Sequence, residues 1–387
     1  MTHRLLFISN LFPTVAEPYR GLDNATLLHT LASQFEIRVL SPRPLLPWAR
    51  PSFAPRPCDL PFNPRWVRSS YIPKLGGAVN HRFMAASLRR DFEQTLRDFR
   101  PSVILSSWIF PDSIAALRLA RGRLPVASIA QGSDVHQYLA MSARRRVILR
   151  HLPRAAAIIT RSADLAGILK RASLPAAKLH TIYNGVDLAT FQPRDQAAAR
   201  LNATLPSTGP ILLFVGNFYA VKNPFLAILA LGLLTDGPLA SSTPPTLVMA
   251  GGGPLEQPCR DLASSLHLSE RVIFAGRKSP AEIAGLMNAA DLLVLPSRNE
   301  GVPNVILESF ASALPVVASR VGGIPEVLDQ PTLGSTFPSG DARALAAAIA
   351  RQLATPRDSA AIRAHALRFS WDAAASQYRD LLVSAIR

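Results

Sequence analysis

A chain of 387 residues is too long for one ordinary domain and suits two of about 190. With 48% hydrophobic and 18% charged residues it can bury sizeable cores, which excludes intrinsic disorder. The formal charge of +16 lies wholly in the first half: residues 1–185 carry 26 Lys and Arg against 10 Asp and Glu, and residues 186–387 carry 16 against 16.

Two readings of that asymmetry stay open. One is a free use of arginine. The other is a face that meets anionic lipid or an anionic acceptor. No recognition motif supports nucleic acid. Cys58 and Cys259 form neither a disulfide framework nor a ligand cluster, which fits a reducing cytosol. The apolar run at residues 5–9 is too short for a secretory signal, and no run reaches the roughly 20 residues of a spanning helix. The expected location is therefore cytoplasmic, with peripheral attachment to the inner membrane face left open.

Short apolar runs bounded by turn residues recur in chain order. The first series is 5–9, 37–40, 103–106, 126–130 and 157–160. The second is 211–215, 246–250, 272–275, 292–295 and 316–318. Helical patterns separate most of them, so each series predicts buried parallel strands in an α/β layer. The break falls near 184–200. Two doubly wound sheets should leave a cleft at the carboxyl ends of their strands. In the tail, Trp371, Ala374, Ala375, Tyr378, Leu381, Leu382 and Ile386 form the stripe of an amphipathic helix, capped by Ser370. Residues 41–75 hold nine prolines, six Lys or Arg and one acid, with Trp48, Phe53, Phe62, Trp66 and Tyr71 interleaved. That density of proline argues against regular helix or central strand. The aromatics suit either a membrane interface or a surface loop with its rings packed beneath it.

The chemistry is densest at residues 296–326, PSRNEGVPNVILESFASALPVVASRVGGIPE. A loop beyond a strand carries Glu300 and leads through a Gly-Val-Pro-Asn turn into an apolar helix carrying Glu308. Backbone amides at a helix start form an anion site, and Gly301 permits close approach. Glu300 would accept hydrogen bonds from sugar hydroxyls and Glu308 from a ribose. Capping and solvation are the plainer account of such a pair taken alone. Lys222 lies beyond another strand, in GNFYAVKNP, where it could neutralise a leaving diphosphate. AGGGP resembles a phosphate loop, but Glu256 stands where a dinucleotide fingerprint needs glycine. No Asp-x-Asp, HExxH, Walker motif or Gly-x-Ser-x-Gly occurs, so no metal or cofactor is expected and nicotinamide chemistry loses support.

Together GNFYAVKNP, MAGGGP, VIFAG and ADLLVLPSRNEGVPNVILESFASALPVVASRVGGIPEV resemble family four of the glycosyltransferases, retaining enzymes with the GT-B fold. Glu300 and Glu308 match the family's Glu, seven residues, Glu signature. The resemblance implies two Rossmann-like doubly wound domains facing across a cleft. Residues 1–186 would bind acceptor, 187–366 would bind nucleotide sugar, and the helix in 367–387 would pack back on the first domain. Lys222, with Gly216 and Asn217 opening its motif, would meet the donor diphosphate. Glu300 and the backbone of Gly301, Val302, Pro303, Asn304 and Val305 would hold the transferred sugar and phosphates, and Glu308 the ribose. Gly276 and Arg277 would border the base. On the acceptor or sugar side stand Arg20, Gly21, Gln131 and Asp134. Two positions depart from the family. Asn217 replaces a frequent Arg, a loss that Arg20 could offset, and Gln131 replaces a frequent His. Glutamine can hold a hydroxyl but cannot act as an acid or base near neutral pH.

The expected activity is retaining transfer of a hexosyl unit from a nucleoside diphosphate sugar to a glycan or lipid-linked acceptor. The alternative is a non-catalytic nucleotide-sugar-binding or assembly protein.

Overall fold

The structure is a computed structural model describing residues 3–14, 16–17, 20–46, 62, 64–73, 75–235 and 244–386. It divides into two compact units. Unit 1 joins Met1–Asn184 to Trp371–Arg387, and unit 2 is Gly185–Ser370. The sequence placed the second joint a few residues earlier. The turn Leu367–Phe369 stays with unit 2 because Phe369 packs on His365, ring centroids 5.5 Å apart, and its carbonyl accepts a hydrogen bond from Val186 N.

Unit 1 holds β1 (His3–Ile8), β2 (Phe35–Leu45), β3 (Arg65–Ser70), β4 (Val103–Ser107), β5 (Val126–Ala130), β6 (Ala157–Thr160) and β7 (Leu179–Thr181). They form one parallel sheet in the order β3-β2-β1-β4-β5-β6-β7. Every residue of β4, β5 and β6 is buried, as strands covered by helices on both faces require. The period of two sends Leu5 and Phe7 into one core and Leu6 and Ile8 into another, one on each face. The helix Asn80–Asp98 covers the second face through Met84, Leu88 and Phe92, spaced by four. The final helix, Trp371–Ile386, buries Ala374, Ala375, Tyr378 and Leu382 in the first core. This is the expected return of the tail to the first domain.

Unit 2 holds β8 (Ile211–Val215), β9 (Thr246–Ala250), β10 (Val272–Gly276), β11 (Leu292–Leu295), β12 (Val316–Ser319) and β13 (Gly334–Phe337), also parallel, in the order β10-β9-β8-β11-β12-β13. Both sheets are doubly wound, as expected. The chain starts mid-sheet, builds to one side, then returns to build the other. Its direction reverses between β1 and β4 and again between β8 and β11. In such sheets ligands bind beyond the carboxyl ends of the strands at the reversal.

The proline-rich segment needs a correction. Pro42 and Pro44 lie within β2, an internal strand. β1 pairs with β2 only up to Leu40, and beyond it β2 pairs with β3 alone. Two residues apart, the prolines withhold their missing N–H groups on the same side, which is tolerable where the neighbouring strand has ended. The aromatics divide too. Phe62 is buried in the first core, and Trp66 packs on Phe12 with the Arg43 guanidinium over its ring at 4.4 Å. Both pack inward on their own unit. Trp48 and Phe53 lie outside the described residues.

Candidate functional site

In unit 2 the sequence-selected residues gather at the carboxyl edge of the sheet. Gly216, Asn217 and Lys222 follow β8. Gly276 and Arg277 end or follow β10. Glu300 through Val305, with Glu308 beyond them, follow β11. β8 and β11 are neighbours, so the Lys222 and Glu300 loops flank the reversal point. Arg298 N donates to Val221 O at 2.7 Å and stitches these loops together. Lys222 Nζ then donates a hydrogen bond to Glu300 Oε1, and Ser297 Oγ donates to the same oxygen at 2.8 Å. Their side chains are 26% and 12% exposed, so the charges meet largely out of water.

The helix after this loop is Asn304–Ala311. Its N-cap is Pro303, which offers no side-chain acceptor to the first amides. Val302 and Pro303 point inward, leaving backbone as what they can present to a ligand. Glu308 is half-buried one turn into the helix. The loop after β12 supports Glu300 from behind. Gly323 N donates to Gly301 O at 3.0 Å, and Gly322, at φ 52°, packs so tightly that a Cβ would lie 1.8 Å from the Glu300 carbonyl oxygen. Glycine is therefore demanded at 322 by the placement of Glu300.

The glycines of AGGGP serve the same edge. Gly216 N donates to Ala250 O, Phe218 N to Gly252 O, and Gly251 N to Gly276 O, joining the loops after β8, β9 and β10. Arg277 is exposed, and its Nη1 comes within 3.5 Å of Asn217 Oδ1. Its loop is anchored by a capping box between Ser279 and Glu282. Hydrogen bonds from Ser279 and Lys278 hold the Glu282 carboxyl down at about 2.

In unit 1, Arg20, Gly21, Gln131 and Asp134 lie beyond β1 and β5, again at the carboxyl edge. Gly21 is left-handed, at φ 69°, and a Cβ there would lie 2.3 Å from the Leu11 backbone. Its identity follows from local packing. Arg20 donates to Asn10 Oδ1 at 3.1 Å and pairs with Glu17, so it is committed within its own loop. Gln131 Nε2 donates to Ser107 Oγ at 2.7 Å and Asn24 Oδ1 at 3.2 Å. Asp134 is fully buried and accepts from the backbone N–H groups of Ile109, Gln131 and Gly132. Burial pushes its carboxyl above the ordinary value against those three donors. It orients the turn; a ligand cannot reach it.

Sequence reasoning missed Asn10, Asn24, Ser107, Asp112 and Ser297. The available signal was polar residues immediately beyond apolar strands at a reversal point. Asp112 is fully buried and accepts from Asn10 N at 2.5 Å and Asn10 Nδ2 at 2.7 Å. Nearby Trp108 has φ 78°, uncommon for a bulky residue. Asp112 and Asp134 thus pin the loop after β4 from two sides.

Burial pushes the Asp112 carboxyl up to about 7. Between its ordinary value of 3.8 and about 7, the folded chain holds a proton that the unfolded chain has lost. This group's contribution to stability is full below about pH 4 and is lost as pH rises to about 7. His81, His136, His151 and His365, all lowered chiefly by burial, act in the opposite sense, adding stability as pH rises. A comparison with Asp112→Asn isolates the carboxyl. The variant's melting temperature should gain on the wild type between about pH 4 and 7, and a constant gap would refute the assignment.

Two family models match the chain in succession. "Glycosyltransferase Family 4" covers residues 24–190 and "Glycosyl transferases group 1" covers 195–368. The chain belongs to the family 4 glycosyltransferases. Among curated relatives of the family, the D-inositol 3-phosphate glycosyltransferase of Saccharomonospora viridis is 34% identical over 222 residues, 53% of this chain and 51% of that one. That of Thermobispora bispora is 33% identical over 223 residues, 55% of this chain and 52% of that one. The chain thus spans about half the length of the curated relatives it matches. Solved structures match along nearly the whole chain and share the GT-B fold. Sucrose-phosphate synthase from Thermosynechococcus elongatus superposes with a TM-score of 0.75 at 23% identity, covering 99% of this chain and 100% of that one. Anabaena HepE in complex with UDP gives 0.75 at 19%, covering 98% and 100%.

Proposed function

We propose that this family 4 chain is a retaining glycosyltransferase that moves a hexosyl unit from a nucleoside diphosphate sugar to an acceptor hydroxyl without a metal. The observation that carries the proposal is the meeting of Lys222 and Glu300 at the reversal point of the second sheet, beside the start of the helix Asn304–Ala311. The difficult event is departure of the diphosphate from an oxocarbenium-like carbon. Lys222 and the helix-start amides would stabilise the charge that develops there. Glu300, already an acceptor for two donors, would take hydrogen bonds from sugar hydroxyls, and Glu308 from the ribose. The positive charge lacking at Asn217 comes, on this reading, from Arg277, which stands beside it in the same unit. Arg20 is held by Asn10 and Glu17. Gln131 would hold a hydroxyl on the acceptor or sugar side; it needs no basicity if the leaving phosphate takes the acceptor proton.

A uridine donor is favoured, because HepE was solved with UDP and with UDP-glucose. The acceptor class is a glycan or lipid-linked glycan of the cell surface. In support, fold relatives include WaaB, named as a lipopolysaccharide outer core galactosyltransferase, and WaaG, described as involved in lipopolysaccharide biosynthesis. The curated relatives' names point instead to a soluble inositol phosphate, and product analysis separates the two.

The test is a thermal-shift panel of UDP, GDP, ADP and TDP, each with magnesium or EDTA. At 100 times its dissociation constant a diphosphate should stabilise the fold by about 2.7 kcal/mol. The shift should survive EDTA and vanish in Glu308→Ala. A shift that required magnesium would overturn the metal-independent reading. No shift with any diphosphate would favour a non-catalytic role.

A further inference from the structure

The charge surplus of the first half has a structural focus apart from the donor-side and acceptor-side residues. At the amino edge of the unit 1 sheet, the turns leading into β5, β6 and β7 border a cavity of about 1050 Å³. Arg82 and Arg89 reach it from the helix Asn80–Asp98. Arg118 and Arg121 come from the end of the helix Ile114–Ala120 and the turn beyond it. His151 and Arg154 precede β6. Its lining between the cations is apolar, with Ala85, Leu117, Leu124 and Pro125. Gln131 and Asp134 follow the opposite end of β5. Five residues at about 3.3 Å each put the two edges roughly 16 Å apart.

None of these five arginines takes part in an ion pair among the described residues. The acid on the cavity wall, Glu93, is engaged by Arg123 through two hydrogen bonds of 2.7 and 3.1 Å. Lys178 is also spoken for, donating to the carbonyls of Pro153 and Ala155. Helix dipoles explain part of the cluster, since Arg118 and His151 stand in last turns, where cations are favoured. They do not explain Arg82, which stands in the first turn of its helix with no acid there. The accumulated field registers on nearby bases. His81, buried against His151 with ring centroids 5.7 Å apart, is lowered to about 4 by burial and then by Arg118, His151 and Arg82. His151 is lowered by burial and then by Arg154 and Arg118.

We propose that this amino-edge cavity is a second anion site, separate from the donor site, that takes a phosphate group carrying at least two negative charges. Guanidinium forks match phosphate oxygens two at a time and stay charged at any physiological pH, which five unpaired arginines around one cavity exploit. The apolar lining suits a phosphate attached to an uncharged or aliphatic body. A phosphorylated lipid headgroup and a soluble diphosphate share this chemistry.

The experiment uses the full chain, inorganic pyrophosphate as soluble probe, and vesicles of phosphatidic acid in phosphatidylcholine against phosphatidylcholine alone. The variant is Arg82→Gln/Arg118→Gln/Arg154→Gln, exposed positions whose change should leave the melt and the UDP shift unaltered. Because pyrophosphate should also enter the donor site, titrations are run in Lys222→Met, and the His151 ring is followed by NMR. Bound pyrophosphate should raise the His151 pKa, and the triple variant should weaken that binding at least tenfold. Binding of phosphatidic acid vesicles, lost in the same variant and stronger than pyrophosphate, would assign the site to a lipid headgroup. Pyrophosphate binding without vesicle binding would assign it to a soluble anion. If neither probe moves His151, or the triple variant binds both as the wild type does, the site does not exist. A failure of the donor panel would leave this result untouched.

Discussion

Lys222→Met is expected to lower kcat by about 10²–10³-fold, the usual consequence of removing one group that stabilises leaving-group charge. Glu300→Gln should also lower kcat strongly, through lost sugar contacts. The double variant should lose much less than the product of the two. Each residue is the other's charge partner, so either single change leaves a largely desolvated charge unpaired. Ser297 still donates to the Glu300 oxygen in Lys222→Met, which limits but does not cancel that effect. Steady-state kinetics on the four proteins decides the matter. Losses that simply multiply would mean that the pair seen here is incidental to the reaction.

Tyr378→Ala is expected to cost about 3–5 kcal/mol of stability, the range for deleting a large buried ring. Tyr378 is fully buried and is the largest of the fully buried side chains that the final helix contributes to the first core. Arg161, 3% exposed, holds its guanidinium 5.7 Å from the ring centroid, and none of its guanidinium nitrogens makes a hydrogen bond among the described residues. Removing the ring therefore opens a cavity and strips a buried cation of its aromatic partner. Chemical denaturation of the full chain measures the loss, and a cost below about 1 kcal/mol would show that the helix is dispensable to the core. The diphosphate shift of unit 2 serves as the control for a folded donor site.

How much of this was legible from residues depends on burial. The runs that announced β1, β2, β4, β5, β6, β8, β9, β11 and β12 are apolar because helices cover them on both faces; β10, a partly buried edge strand, was announced by its apolar VIFA all the same. β3, β7 and β13 went unread, and each is a sheet edge with the sequence RWVRSS, LHT or GSTF. An edge strand is partly solvated, so nothing forces it into a continuous apolar run. Pro42 and Pro44 misled for a related reason: the rule against proline in an internal strand concerns paired N–H groups, and β2 outruns its neighbour. At the site, Lys222 and Glu300 were legible because a loop beyond a buried strand narrows where a charge can point. Their contact was not, since 78 residues separate them and only strand order brings them together. Asn10 and Asp112 were invisible for the same reason, lying 102 positions apart.

Chain order has a further consequence. Unit 2 lies wholly inside the sequence of unit 1, and its two ends are bridged, Val186 to Ser370, within one pair of backbone hydrogen-bonding partners. A ribosome therefore delivers unit 1 in two instalments. The sheet of the first unit emerges early, with the groove meant for Tyr378 and Leu382 still open to water. It must wait through the synthesis of Gly185–Ser370 before the last helix arrives. The usual expectation that the N-terminal domain finishes folding first is reversed here. Unit 2 has all its residues on hand sooner, and the domain begun first is the one completed last.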